Sequence, residues 1–194
     1  MLKCLTDTEF KNWLAPAGVS VHNETSLHFW SDIKYQSIRA AFPSEASSHT
    51  FLASKLLGWL GESAEVALWF SHWDFYLEEQ LAIVEALRRN VGENRPVGQA
   101  PAHVLIPQQG ASTRDRVVRE RAMLVGLAFL AMNLNRGCYL LNRDASKWIL
   151  IQGGQLCFCS ARAEAMLGAA AIAASFKCEL KPAAAPQLRE PQLS

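Results

Sequence analysis

The chain has 194 residues, 50% of them hydrophobic and 19% charged, with a formal net charge of +1. At this length roughly 70% of the unfolded surface can be buried, which excludes a disordered chain and any need for a metal or disulfide to hold a core. A duplex-binding protein carries a clear basic excess, so the near-neutral charge argues against nucleic acid as the partner.

Five cysteines are present, at positions 4, 138, 157, 159 and 178. Lys3 and the polar run Thr6-Asp7-Thr8-Glu9 interrupt any apolar signal-like start. Reduced thiols and a cytoplasmic location are therefore expected. The longest uncharged run of helical character, Ala122 to Asn135, is short of the ~20 residues a membrane span requires. It reads as a buried helix, and no membrane association is expected.

Thr6, with Glu9 three residues on, has the spacing of a capping box at the start of a short helix. Phe10, Trp13 and Leu14 then fall on one face, and Pro16 and Gly18 end it. Val19, Val21 and Leu27 to Phe29 predict a first strand region, and Tyr35 to Phe42 a second. The cluster Ser44 to Ser48 precedes a helix carrying Phe51, Leu52, Lys55, Leu56 and Trp59. Residues 66–74 (VALWFSHWD) are short and rich in aromatic and aliphatic groups. Bulky residues on both alternating sets predict a strand covered on both faces.

A helix is predicted over 76–90 and a short strand over 102–106. The longest helix spans 114–135, charged in its first turns and apolar nearly all round thereafter, as an enclosed helix is. A strand over 138–141 follows. The alternating runs 147–152 and 155–160, joined by Gly153-Gly154, predict a hairpin. An Ala-rich helix covers 162–176. The prolines at 182, 186 and 191 predict a flexible tail over 177–194, leaving 1–176 as one domain.

Strand–helix–strand–helix–strand alternation through the middle implies right-handed crossovers and adjacent parallel strands. The expected fold is α/β: a mixed, partly parallel sheet flanked by helices, with the C-terminal antiparallel hairpin at one edge.

Four groups of residues carry possible chemistry. His72 and Asp74 follow the aromatic stretch at the expected C-terminal edge of a parallel strand, where ligands sit in open α/β sheets. His103 opens the next strand, and the three form a candidate catalytic set of base, partner and second histidine. The plainer reading makes the histidines ordinary core residues and Asp74 a helix cap. Trp69, Trp73, Arg114 and Arg116 are the candidate binding residues, because aromatic and arginine side chains dominate protein interfaces. Gly110 to Thr113 can offer backbone N–H groups to an anion, although capping by Ser112 or Thr113 explains the same residues. Cys157 and Cys159 share one face of their strand, with Leu156 and Phe158 on the other. Cys138 is expected nearby. No second ligand pair at zinc spacing exists, so these thiols read as small buried hydrophobes, and neither metal nor cofactor is expected.

The segments ALWFSHWDFY, LRRNVGENRPVGQAPAHVLIP and LVGLAFLAMNLNRGCYLLNRDASKWILIQGGQLCFCSA together resemble a group of uncharacterised bacterial proteins, over about residues 66–160. In that group a Trp-rich strand precedes a Leu/Arg-rich helix and a short Pro/His stretch, matched here by Gln99-Ala100-Pro101-Ala102-His103. A long apolar helix follows, and then a segment matched by Arg136 to Leu141. Ala102 stands where the group has glycine, and Gly137-Cys138 where it has Trp-Asp. The resemblance implies a bacterial source and one domain, and transfers no catalytic residue.

The expected function is a non-enzymatic factor that binds another protein, of an accessory or immunity type. The alternatives are a small enzyme using His72, Asp74 and His103, and a single-strand nucleic-acid binder using tryptophan and arginine.

Overall fold

A computed structural model describes residues 2–22, 26–29, 34–43, 45–61, 65–70, 102–105, 114–133 and 137–182. Its strands are β1 (Leu2–Leu5), β2 (Val19–His22), β3 (Ser26–Phe29), β4 (Gln36–Ala41), β5 (Val66–Phe70), β6 (Ala102–Leu105), β7 (Cys138–Asn142), β8 (Lys147–Gln152), β9 (Gln155–Ser160) and β10 (Leu180–Pro182). The α-helices among the described residues are α1 (Asp7–Leu14), α2 (Ala46–Leu60), α3 (Arg114–Asn133) and α4 (Ala163–Ser175), and a 3-10 turn over Ala15–Ala17 follows α1.

Period-two alternation explains how the main sheet is buried. On β5, Val66 and Leu68 join one apolar cluster, while Ala67 and Trp69 join another on the opposite face. The same split runs through β7, with Cys138 and Leu140 against Tyr139 and Leu141, and through β9, with Leu156 and Phe158 against Cys159. One face packs under α2, α3 and α4, which contribute Leu52, Leu56, Leu124 and Met166. The other packs against Phe10, Trp13 and Leu14 of α1, Val19 of β2 and Leu27 of β3. Doubly covered strands are the reason these segments read as almost continuous apolar runs.

Local chemistry sets the ends of the elements. Glu9 N–H donates to Thr6 Oγ1 at 3.2 Å and Thr6 N–H donates to Glu9 Oε2 at 2.8 Å, completing the predicted capping box of α1. Gly153 (φ 59°) and Gly154 (φ 73°) supply the two left-handed positions of the β8–β9 turn, the conformation a tight hairpin demands. On α2, Trp59 Nε1 donates to the Ala165 carbonyl at 2.8 Å and its ring meets Phe158 edge-on, tying two helices to the sheet.

The sheet has eight strands in the order β1-β6-β5-β7-β8-β9-β4-β10, and β2 and β3 form a separate pair. Every strand pairing described is antiparallel, so the expected partly parallel sheet is corrected. The reason lies in what sits inside the crossovers. β6 and β7 do run the same way, joined through α3, but both pair with β5, which lies between them. β9 and β10 likewise run the same way, joined through α4, with β4 between them. A crossover makes two strands parallel in direction without making them neighbours.

Two further expectations change. The β8–β9 hairpin lies inside the sheet, because β4 adds on its far side. The chain also stays in the sheet past residue 176: Leu180, Lys181 and Pro182 pair with Ala40, Arg39 and Ile38. Proline is compatible with this position because β10 is an edge strand. The predicted helix over 76–90, residues 71–74 of the aromatic strand and residues 183–194 lie outside the described residues. No helix among the described residues is long and apolar enough to cross a membrane.

Candidate thiol site

β9 is an interior strand with side chains alternating to the two faces, so Cys157 and Cys159 stand side by side on the face opposite the three-helix layer. Their Sγ atoms are 3.7 Å apart, within hydrogen-bond reach for sulfur. On one side β4 sets Arg39 directly across from Cys157 and Ser37 across from Cys159. On the other, β8 sets Leu150 across from Cys157 and Trp148 across from Cys159. Cys159 is fully buried, Cys157 is half-buried and Arg39 is exposed, so the pair runs from the core to the surface.

An aromatic wall backs the inner thiol. Tyr35 meets the Trp148 ring edge-on at 5.9 Å, Tyr139 lies 6.2 Å from Trp148, and Trp69 lies 5.6 Å from Tyr139. Tyr35 also donates its hydroxyl to the Ala145 carbonyl at 2.9 Å. Burial, reinforced by Cys159 and Asp144, pushes the Tyr35 hydroxyl up to about 12, and burial likewise raises Tyr139. Both rings therefore stay neutral and act as apolar walls with satisfied polar tips.

The two thiols are driven apart electrostatically. A hydrogen bond from Cys159 holds Cys157 down to about 7; burial opposes this, and the hydrogen bond and charge of Arg39 assist it. The same hydrogen bond and burial push Cys159 up. Cys159 thus keeps its proton and donates it toward Cys157, which becomes the thiolate of the pair. A thiolate is the nucleophilic form of cysteine.

No protein-family model, curated protein or solved structure matches the chain.

Trp69, a candidate interface residue, is only 2% exposed and is flanked by Phe10 and Tyr139; it belongs to the core and not to a surface. His72, Trp73 and Asp74 lie outside the described residues. For His103 the backbone is placed, opposite Leu68 on one side and Cys4 on the other. The antiparallel pairing of β5 with β6 brings the C-terminal end of one and the N-terminal end of the other to the same end of the sheet. Arg114 and Arg116 lie in the first turn of α3, described there as backbone. The glycine-containing loop before α3 lies outside the described residues.

Of the cysteines, Cys138 sits in the cluster on the helix face, across the sheet from the pair, because its register places it opposite Ile151. Burial raises its thiol, as it does that of Cys178. Those two and Cys159 fit the description of small buried hydrophobes; Cys157 does not. Among the described residues no group of three or more histidine, cysteine or acidic side chains is arranged to hold a metal ion. Arg39 and Tyr35 were not singled out from the sequence. The available signal was a single charged residue, Arg39, in the strand QSIRAA, and strand pairing is what gives it meaning.

Proposed function

We propose that the protein is a non-enzymatic cytoplasmic factor that works by binding another protein, and that the outer side of α4 is its contact surface. The observation that carries this reading is the composition of that side. Leu167, Ala171 and Ala174 are exposed and fall on successive turns of one helix face, with Leu167 at 75% exposure. From Ala165 to Phe176 the chain carries no charged residue.

A helix lying on a sheet normally turns charged and polar groups outward; one that is apolar all round is enclosed. α4 already buries Met166, Ala169 and Ala173 inward, so the outward Leu167, Ala171 and Ala174, between exposed Glu164 and Ser175 near the helix ends, are apolar without a structural need for it. Scattered exposed hydrophobics are ordinary, such as Phe51 on α2 and Val118 on α3. A leucine with two alanines on the following turns is different, because small residues beside a protruding one let another helix approach closely and bury its own apolar side there.

Photo-crosslinking in cells of the native host tests the reading, with benzoylphenylalanine in place of Leu167. The expected result is one dominant heterologous adduct. That protein, once purified, binds the wild-type chain, and Ala171→Glu weakens the binding at least tenfold while leaving the melting temperature unchanged. No adduct, or an adduct formed only with a second copy of the chain, would overturn it.

A further inference from the structure

We infer that Cys157 is a thiolation site that accepts an anionic low-molecular-weight disulfide, with Arg39 as the recognition group and Cys159 as the residue that readies the nucleophile. Three independent features of the fold meet at one sulfur. Strand alternation places Cys159 Sγ 3.7 Å from Cys157 Sγ, within hydrogen-bond reach for sulfur. The β4–β9 register sets an exposed arginine directly across from Cys157. Of the two thiols in the pair, Cys157 is the one with a path to solvent.

A guanidinium has five donors in a planar fork, enough to hold a ligand carboxylate while remaining beside the sulfur. The exposed guanidinium favours an anionic disulfide over a cationic one.

The step balances without a cofactor. The Cys157 thiolate attacks one sulfur of the incoming disulfide, and a new S–S bond forms as the old one breaks. The departing half leaves as a thiolate and takes a proton from water. Cys157 is oxidised, and the disulfide is reduced by the same two electrons.

The sheet then halts the reaction at the mixed disulfide. Residues i and i+2 of a strand lie roughly 6.4–6.8 Å apart at Cα, the far limit for a disulfide. Their Cβ atoms point the same way and stay well beyond the roughly 3.5–4.5 Å that a disulfide requires. β9 is hydrogen-bonded to β4 and to β8 along this whole stretch, so closing the gap means tearing an interior strand from its neighbours. Cys159 therefore activates Cys157 without resolving it.

The test treats the purified full-length chain with oxidised glutathione, and in parallel with the cationic disulfide cystamine, at neutral pH. Peptide mass mapping locates the adduct. The expected product is one glutathionyl group on Cys157, formed at least threefold faster than the cystamine adduct. That preference should collapse in Arg39→Gln, survive in Arg39→Lys and fade in the wild type at high salt, which needs no variant. Cys159→Ala should slow the reaction severalfold, and Cys157→Ala should abolish it while melting as the wild type does. Modification at another cysteine, equal rates for the two disulfides, or a Cys157–Cys159 disulfide as the main product would each overturn the proposal.

Discussion

Replacing Trp69 with alanine separates a core tryptophan from an interface tryptophan. The side chain is 2% exposed and stands between the Phe10 ring at 6.1 Å and the Tyr139 ring at 5.6 Å. Truncating a buried tryptophan costs about 3–5 kcal/mol through lost transfer energy and the cavity left behind. Aromatic pairs add about 0.5–1.5 kcal/mol each beyond area burial, so the upper part of that range, about 4–5 kcal/mol, applies here. A domain of this kind is stable by only about 5–15 kcal/mol, so the variant should sit near the edge of folding. With a urea slope of about 2 kcal/mol per molar, the midpoint followed by far-UV circular dichroism should fall by roughly 2 M. Phe51→Ala is the control: Phe51 is 71% exposed, and its loss should change stability by no more than about 0.5 kcal/mol. If Trp69→Ala unfolds at the same urea concentration as Phe51→Ala, the two-faced core described above is wrong.

Alkylation of Cys157 by iodoacetamide, followed by peptide mapping from pH 5.5 to 9.5, should reach half its maximal rate near pH 7. The thiolate is the reactive form and Cys157 is held down to about 7, so the rate falls about tenfold per unit below that point. Cys159→Ala removes the leading cause of that depression and should move the midpoint upward. Lys177 follows α4 with φ 54°, in the left-handed conformation that glycine occupies without strain. Lys177→Gly should therefore stabilise the protein by about 1 kcal/mol, read as a melting temperature roughly 2–4 °C higher. Thr6→Ala deletes the side chain that accepts from Glu9 N–H and should cost about 1 kcal/mol by denaturant titration.

Local features were legible in the sequence because their causes are local. The capping box at Thr6 and Glu9, the Gly153-Gly154 turn and the segregation of Cys157 and Cys159 from Leu156 and Phe158 each depend on residues no more than four apart. Strand order was not legible, because pairing energy depends on strands far apart in the chain. The alternation over residues 102–141 correctly implied a crossover through α3. Nothing in that stretch says that β5, which precedes it, lies inside the crossover. The proline after Lys181 suggested a tail, yet an edge position makes proline harmless, and only the sheet order reveals that position.

The candidate site divides along the same line. The sequence by itself determined that two thiols lie on one strand face, since alternation needs no partner to operate. The tertiary structure alone decided that an arginine more than a hundred residues away stands opposite Cys157, and that Cys138 lies across the sheet. A cysteine's reactivity is set by the charge, hydrogen bonds and solvent around its sulfur. In this chain the hairpin encodes the β8–β9 register locally, but the charge beside the sulfur comes from β4, whose register no single segment encodes.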